Sequence, residues 1–424
     1  MAIDLRLRER AVLVTVCFRR LPHRDPWPVE EIAAELRELV RSTGVQILKE
    51  LLVVRDLPTP GLLIGRGRAE ELQTVAAETG ADVVIFNRDL SSAQQRDLEE
   101  ITRVKVIDRT QLILDLFAQR AHSQEGKVQV ELAQHEYLLP RLGGKGILLS
   151  RLGGGIGTRG PGEQKLEVDR RRIRMRIAKL QRDLGLVRQR RATVRRERQT
   201  HATPTVALVG YTNAGKTTLF NILTKAQAPV EDQLFTTLDP MARRLILPTH
   251  QTIVLSDTVG FLHQLPHRLI EAFQATLEEV REAQLLIHVV DAASPLRDRL
   301  IEAVLGVLEE LEAVDKPRLL VFNKLDRLED DTRRSLLRLN PEAVLISALT
   351  GEGLAELCNR IAHQLSSFLQ PVSVEIPQTA QAWVHRVYEE GRVVHRRDVD
   401  GAIQLEAFVP PPLKGQLQKA GFLP

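Results

Sequence analysis

The chain is short of most features that would assign it to a special class at once. It has two cysteines, Cys17 and Cys358, in 424 residues. That is too few for a disulfide framework and fits a reducing compartment. No apolar run approaches the roughly 18 residues of a membrane-spanning helix. The longest candidate near the start, Ala11 to Phe18, is strand-sized. The first stretch does not read as a signal peptide either. Arg6, Arg8 and Arg10 are followed by too short an apolar core and by no small-residue cleavage pattern. Internal repeats and low-complexity tracts are missing, and the formal net charge is only +4. With 43% hydrophobic and 27% charged residues, a soluble cytoplasmic protein of about two or three domains is expected.

What is present is strand–helix alternation, interrupted once. Ala11 to Phe18, Val45 to Val54, Asp82 to Asn87 and Val104 to Ile107 read as buried strands. Val29 to Arg41, Arg68 to Glu78 and Ser91 to Ile101 carry apolar residues at helical spacing between them. Residues 1–108 are thus expected to form a small parallel α/β domain. Arg109 to Leu142 reads as one long helix and Glu163 to Gln199 as a second, joined by a glycine-rich loop at 143–162. Residues 109–200 are therefore expected to form an antiparallel helical hairpin. From Thr205 the alternation resumes, with strands at Thr205–Val209, Thr252–Ser256, Leu285–Val290, Leu319–Phe322 and Val344–Ile346. This predicts a mostly parallel α/β domain over 201–370. A small C-terminal α/β appendage follows at 371–424, with one evident strand at Ala402 to Phe408.

The strongest motif lies in the third region. Gly210-Tyr211-Thr212-Asn213-Ala214-Gly215-Lys216-Thr217, with Thr218 next, follows the strand VALV and opens a helix. That is the phosphate loop in its strand–loop–helix context. Glycines let backbone N–H groups turn toward phosphate oxygens, and the helix N-terminus adds a favourable dipole. Lys216 suits the β- and γ-phosphates, and the Thr217 hydroxyl suits Mg²⁺. Asn323-Lys324-Leu325-Asp326 after the strand LLVF selects the base. A carboxylate at Asp326 accepts from both N1–H and the 2-amino group of guanine, whereas adenine faces it with a lone pair. A site built on such a buried pairing rejects the analogue by roughly 10⁴ or more. Asn323 would support guanine N7, Lys324 would brace the phosphate loop, and Ser347-Ala348 would place a backbone N–H on guanine O6. Asp257-Thr258-Val259-Gly260 ends another strand, with Asp257 suited to Mg²⁺ through water and the Gly260 N–H to the γ-phosphate. Phe235-Thr236-Thr237-Leu238-Asp239-Pro240 is the switch candidate, in which one threonine would complete the metal site when the γ-phosphate is present. Chemistry alone leaves Thr236 and Thr237 as alternatives. Lys216, the switch threonine and Gly260 form the candidate catalytic set. Phe261 stands where a Ras-like enzyme presents a water-orienting glutamine, and it either packs in a core or signals slow intrinsic hydrolysis.

The small net charge conceals a sharp asymmetry. Residues 141–200 hold 18 Lys and Arg against five Asp and Glu, a net of +13, so the rest of the chain sums to −9. Such a run is often a solvated helix face. Here only Asp183 and Glu197 offset the cations between positions 170 and 198, and like charges at i,i+4 repel. An anionic partner such as a phosphate backbone resolves that conflict. Aromatics are scarce in the stretch, which argues for structured RNA rather than base stacking on single strands. Lys145, Arg151 and Arg159 in the loop and Arg170, Arg171, Arg172, Arg174 and Arg176 on the helix are the candidate RNA contacts.

Beyond the nucleotide motifs, FNRDLSSAQQRDLE (86–99), VIDRTQLILDLFAQRA (106–121), EGKVQVELAQHEYLLPRL (125–142), SRLGGGIGTRGPGE (150–163), GYTNAGKTTLFN and FTTLDP–DTVGF resemble HflX-type GTPases. The resemblance covers roughly residues 10 to 370 and is weakest beyond Pro371. It implies a Ras-like GTPase domain and a protein that binds the large ribosomal subunit and its rRNA, the glycine-rich loop entering the peptidyl-transferase region. It also implies GTP-switched ribosome splitting, hydrolysis stimulated by the ribosome, Mg²⁺ as cofactor and a monomeric state. Within the family pattern Thr237 is the switch threonine. Position 236 is more often alanine there, Gln164 replaces the threonine usual after GPGE, and a hydrophobic residue at Phe261 is a family trait. Asn213 resembles the phosphate-loop asparagine of GTPases that recruit K⁺. Two readings from other classes compete: an RNA-remodelling ATPase or helicase, and a signalling GTPase acting through a protein or membrane partner.

Overall fold

The computed structural model describes residues 9–20, 27–143, 161–200, 203–226, 235, 241–262, 274–399 and 401–423. They fall into two compact units, Met1–Gly185 and Leu186–Pro424.

In the first unit β1 (Arg10–Phe18) is buried over all but its first residue. It is followed by α1 (Val29–Ser42), β2 (Gln46–Arg55), α2 (Arg66–Thr79), β3 (Val83–Phe86), α3 (Ser92–Thr102) and β4 (Lys105–Ile107). The sheet is parallel throughout, in the order β2-β1-β3-β4. The continuous apolar runs of β1 and β3 are what strands covered by helices on both faces require. Val12, Val14, Val84, Phe86 and Leu98 fill one of those layers. The first turn of α3 is closed by a capping box, Ser91 Oγ accepting from Gln94 N while Ser91 N donates to Gln94 Oε1.

The single long helix expected over Arg109 to Leu142 is instead two. These are α4 (Arg109–Arg120) and α5 (Gln124–Leu138), followed by a 3₁₀ turn at Leu139–Gly143. The break has a local cause. Ala121 turns extended (ψ 107°), and the Ser123 hydroxyl accepts from Gly126 N at 2.9 Å, starting a new helix with its own cap. The next element is α6 (Pro161–Thr200), and residues 144–160 lie outside the described residues. Leu180 and Leu184 of α6 pack with Leu132, Val128 and Ile177. Arg176 reaches both carboxylate oxygens of Glu131, at 2.6 and 2.8 Å.

The second unit holds two sheets. The larger has six strands. Its elements in chain order are β5 (Thr205–Val209), α7 (Lys216–Thr224), β6 (Met241–Ile246), β7 (Thr252–Asp257), α8 (Gln274–Glu282), β8 (Leu285–Asp291), α9 (Arg297–Glu310), β9 (Arg318–Asn323), α10 (Asp330–Leu339), β10 (Val344–Leu345) and α11 (Leu354–Ser366). The spatial order is β10-β9-β8-β5-β7-β6, parallel except for β6. The sequence reading missed β6 because an edge strand that is half exposed lacks an apolar run. Phe220 of α7 and Leu357, Ile361 and Leu365 of α11 cover one face. Leu277 and Val280 of α8 and Val304 and Leu308 of α9 cover the other.

The smaller sheet comprises β11 (Gln370–Pro377), β12 (Arg392–Val399) and β13 (Ala402–Val409), antiparallel in the order β11-β13-β12. Two helices, α12 (Gln381–Glu390) and α13 (Pro411–Lys419), bury Val387, Leu413 and Leu417 against it. Only β13 was evident from sequence. β11 begins and ends near prolines, tolerable on an edge strand, and β12 is charged and exposed along nearly its whole length.

Candidate nucleotide-binding site

At two positions the phosphate loop has no room for a side chain. At Gly210, where φ is 153°, a Cβ would come 2.2 Å from the Val289 carbonyl oxygen of β8. At Gly215, where φ is 90°, it would come 2.2 Å from Asn323 Nδ2. Asn213 also takes a left-handed conformation (φ 61°), which asparagine tolerates better than most residues. The loop thus curls tightly against β8 and the end of β9. Lys216 opens α7 and is buried. Its Nζ donates to the carbonyls of Gly210 at 3.0 Å and Tyr211 at 2.9 Å. Burial pushes its pKa down to about 8, against a smaller opposing effect of Asp257.

Thr217 Oγ1 donates to Asp257 Oδ2 at 2.8 Å, across from the end of β7. Thr258 is fully buried, its hydroxyl held on Leu208 O at 2.6 Å, so β7 and β5 end together. Val259 is buried, and Thr218 sits half-buried in the first turn of α7. After Gly260 the chain pairs with the loop: Phe261 N donates to Gly210 O at 3.1 Å and Thr212 N to Phe261 O at 2.9 Å. The Phe261 side chain is 1% exposed and packs with Val209, Leu277 and Val280. The side chain is thus a core residue, and it carries no hydrogen-bonding group, so its burial is compatible with both readings. Phe235 is buried at φ 57°. Thr236 and Thr237 lie outside the described residues.

At the base end, the brace on the phosphate loop comes from Asn323, with Lys324 engaged elsewhere. Lys324, expected to brace the phosphate loop, pairs with Asp291 at 2.7 Å. Asn323 does the bracing: its Nδ2 donates to Ala214 O at 2.9 Å, while its Oδ1 accepts from Ala348 N at 2.9 Å. The Ala348 N–H, expected on guanine O6, is therefore engaged by Asn323 here. Asp326 is exposed, and the fully buried Ser347 donates to its Oδ1 at 2.5 Å. Ser347 Oγ in turn accepts from Thr350 N at 3.2 Å. Sequence reasoning missed Asp291 and the Ser347 hydroxyl as supporting groups. It also missed His288 of β8, whose two ring nitrogens are buried with no hydrogen-bond partner among the described residues. Burial, then Arg318 and Lys216, push that imidazole's pKa down to about 3, so it stays neutral.

The metal donors are few. Among the described residues no three His, Cys, Asp or Glu side chains cluster as a metal cage. A hydroxyl and a carboxylate 2.8 Å apart beneath the phosphate loop fit an ion held mainly by phosphate oxygens and water, as Mg²⁺ prefers.

Of the candidate RNA contacts, Lys145, Arg151 and Arg159 lie outside the described residues. Arg171, Arg172 and Arg174 are exposed on α6 and Arg170 is half-buried. Arg176 is engaged by Glu131, whose carboxyl it holds below the usual range. Among the described residues, no helix is long and apolar enough to cross a membrane.

Four family models match in succession: GTP-binding GTPase N-terminal over residues 30–118, GTP-binding GTPase Middle Region over 120–198, 50S ribosome-binding GTPase over 205–324, and HflX C-terminal domain over 337–412. The segment beyond Pro371, where the resemblance is weakest, is therefore matched by the family as far as residue 412. GTPase HflX of Caldanaerobacter subterraneus subsp. tengcongensis is 44% identical over 411 residues, covering 97% of this chain and 93% of that protein. GTPase HflX of Escherichia coli is 44% identical over 405 residues, covering 95% and 94%. A GTP-binding protein from the archaeon Sulfolobus solfataricus, solved with GDP, is 22% identical with a TM-score of 0.43, covering 85% of this chain and 99% of that one. With the phosphate loop, Asn323, Asp326 and the two HflX relatives at 44% identity together, the chain is a GTPase and belongs to the HflX family.

Proposed function

We propose that this GTPase binds the large ribosomal subunit in its GTP form and dissociates ribosomes, leaving on hydrolysis. The observation that carries the reading is the charge of residues 141–200, +13 against −9 elsewhere, with Arg171, Arg172 and Arg174 standing exposed on α6. Exposed cations in such excess over carboxylates favour a polyanion through counterion release, even with Asp169 3.8 Å from Arg172. The "50S ribosome-binding GTPase" description of the family model matched at 205–324 names a polyanion of the expected kind.

In the nucleotide site, Lys216 would leave the Gly210 and Tyr211 carbonyls for the β- and γ-phosphates. The phosphate-loop N–H groups would hold the same oxygens, and the Gly260 N–H the γ-phosphate. Asp326, oriented by Ser347, would read guanine N1–H and the 2-amino group. Thr217 would ligate Mg²⁺ directly, Thr237 would join it in the GTP state, and Asp257 would reach it through water. When bound, that ion supplies neutralising charge at the phosphates. A K⁺ beside Asn213 would add to it. Phe261 offers no group to orient a water, so intrinsic hydrolysis is slow and the ribosome supplies the missing alignment. The protein acts as a monomer.

Co-sedimentation with purified ribosomes and subunits tests this. GTP-dependent, salt-sensitive binding to the large subunit is expected, with splitting of intact ribosomes. Deleting residues 143–162 should leave GTP binding intact and abolish splitting. Splitting retained by that variant would sink the loop's role, and binding to anionic vesicles instead of ribosomes would favour the signalling reading. The ATPase reading is opposed by Asp326, which has no partner on adenine.

A further inference from the structure

Arg141 counts among the cations of the basic stretch, yet it is turned inward. It stands in the 3₁₀ turn that follows α5, two residues before Gly143. All three guanidinium nitrogens donate to the α/β domain or to α5. Nε reaches Gln95 Oε1 of α3 at 3.1 Å, and Nη1 the Tyr137 carbonyl at 3.1 Å. Nη2 reaches both the Leu90 carbonyl at 2.7 Å and Asp108 Oδ2 at 2.9 Å. The guanidinium also lies 3.5 Å from the centre of the Tyr137 ring, a cation–π contact.

The partner Asp108 is fully buried. It directly follows β4, caps α4 through Gln111 N at 2.8 Å, and accepts from Leu90 N at 3.2 Å. One planar fork therefore joins the β3–α3 connection, α3, the end of β4 and α5. These are the carboxyl ends of parallel strands, where open α/β sheets ordinarily receive a ligand. Here a side chain of the same protein occupies the place.

We infer that Arg141 is a positioning residue. It pins the point at which the glycine-rich segment leaves the α/β domain, and ribosome engagement depends on it although it is not a phosphate contact. The inference rests on the ribosome-binding reading above. Its chemistry is specific to arginine: a lysine keeps the charge but has one nitrogen and cannot span Gln95, Leu90 and Asp108 together.

The test compares Arg141→Lys with Arg174→Gln in the full chain, bound to purified large subunits with a non-hydrolysable GTP analogue over a series of salt concentrations. Arg174→Gln, on the exposed face, should flatten the dependence of log affinity on log salt by about one charge. Arg141→Lys should weaken binding roughly tenfold to a hundredfold, the size of one lost charge-assisted hydrogen bond, with the salt slope unchanged. GTP affinity and the thermal transition of the GTPase domain should stay at wild-type values. Arg141→Ala leaves Asp108 buried without its partner and is therefore the less clean variant. Wild-type binding by Arg141→Lys would overturn the inference. So would a flattened salt slope, which would make Arg141 a phosphate contact. Wild-type protein that leaves the subunits unbound would overturn the ribosome reading first, before any variant is compared.

Discussion

The two ends of the nucleotide site are built on different principles. The phosphate end is backbone geometry: a loop pressed so close to β8 that Gly210 has no room for a Cβ, closed by one buried lysine. The base end is a relay of side chains. Asn323 joins the phosphate loop to Ala348, Ser347 holds Asp326, and Asp291 holds Lys324. Geometry of the first kind fails all at once, whereas a relay fails by degrees. Substitutions at the two ends should therefore differ in the size and the kind of their effects.

The largest effect is expected at Gly210. An alanine Cβ would meet the Val289 carbonyl 2.2 Å away, and a backbone oxygen in the middle of a sheet cannot step aside as a flexible side chain does. Gly210→Ala should cost at least about a hundredfold in affinity for GTP and GDP alike, from the roughly 1–3 kcal/mol of overpacking plus the positive-φ penalty. Titration with a fluorescent guanine nucleotide reads it, and near-normal affinity would refute the geometric account. Gly215→Ala sharpens the contrast. The atom in its way is the Asn323 side-chain amide, so its effect should be smaller and should come with loosening of the base end.

The second effect concerns charge. Burial in the folded protein pushes the Lys216 pKa down from 10.5 to about 8. Between those values the unfolded chain binds a proton that the folded, nucleotide-free protein does not. Stability of the empty protein therefore rises with pH across that window. Nucleotide affinity moves the opposite way, because phosphates require the ammonium form. From pH 7.5 to 9 GTP affinity should fall about tenfold, with proton uptake approaching one per GTP bound. Calorimetry in buffers of different ionisation enthalpy measures both. A flat affinity over that range would mean that Lys216 keeps its proton in the empty site.

Legibility in the sequence follows the same divide. The phosphate loop was readable because its chemistry is local: Gly210 to Thr217 are consecutive, so spacing stands in for geometry. Asp326 was readable from its place after a strand. Its support from Ser347, 21 residues on, was not, because a hydroxyl's partner depends on how strands and loops meet in space. For the same reason the bracing of the phosphate loop was assigned to Lys324, whereas Asn323 makes that contact. The four strands of the first unit were legible as apolar runs. Of the C-terminal sheet only β13 was, since β11 is an edge strand flanked by prolines and β12 is charged and exposed. The break at Ser123 carried a local signal, a serine whose hydroxyl caps the following turn, but apolar spacing running through 112, 116, 128 and 132 masked it. Charge was legible as a sum and not as an inventory. The count of +13 includes Arg141 and Arg176, and the fold spends both on carboxylates within the protein.

The smallest effect tests the relay itself. Ser347 is fully buried and donates to Asp326 at 2.5 Å while receiving Thr350 N. In the proposed site its hydroxyl would aim the carboxylate without touching the base. Ser347→Ala removes one hydrogen bond to a charged acceptor and leaves Asp326, exposed to solvent, free to rehydrate. Because water can replace the lost partner, the loss should stay near the low end for such bonds, about threefold to tenfold in affinity. The loss should be equal for GTP and GDP, since both present the same guanine, and the rate of hydrolysis at saturating GTP should not change. Unequal losses would place Ser347 in the phosphate machinery rather than the base relay. No loss at all would mean that Asp326 needs no aiming, and the base end would then be as preformed as the phosphate end.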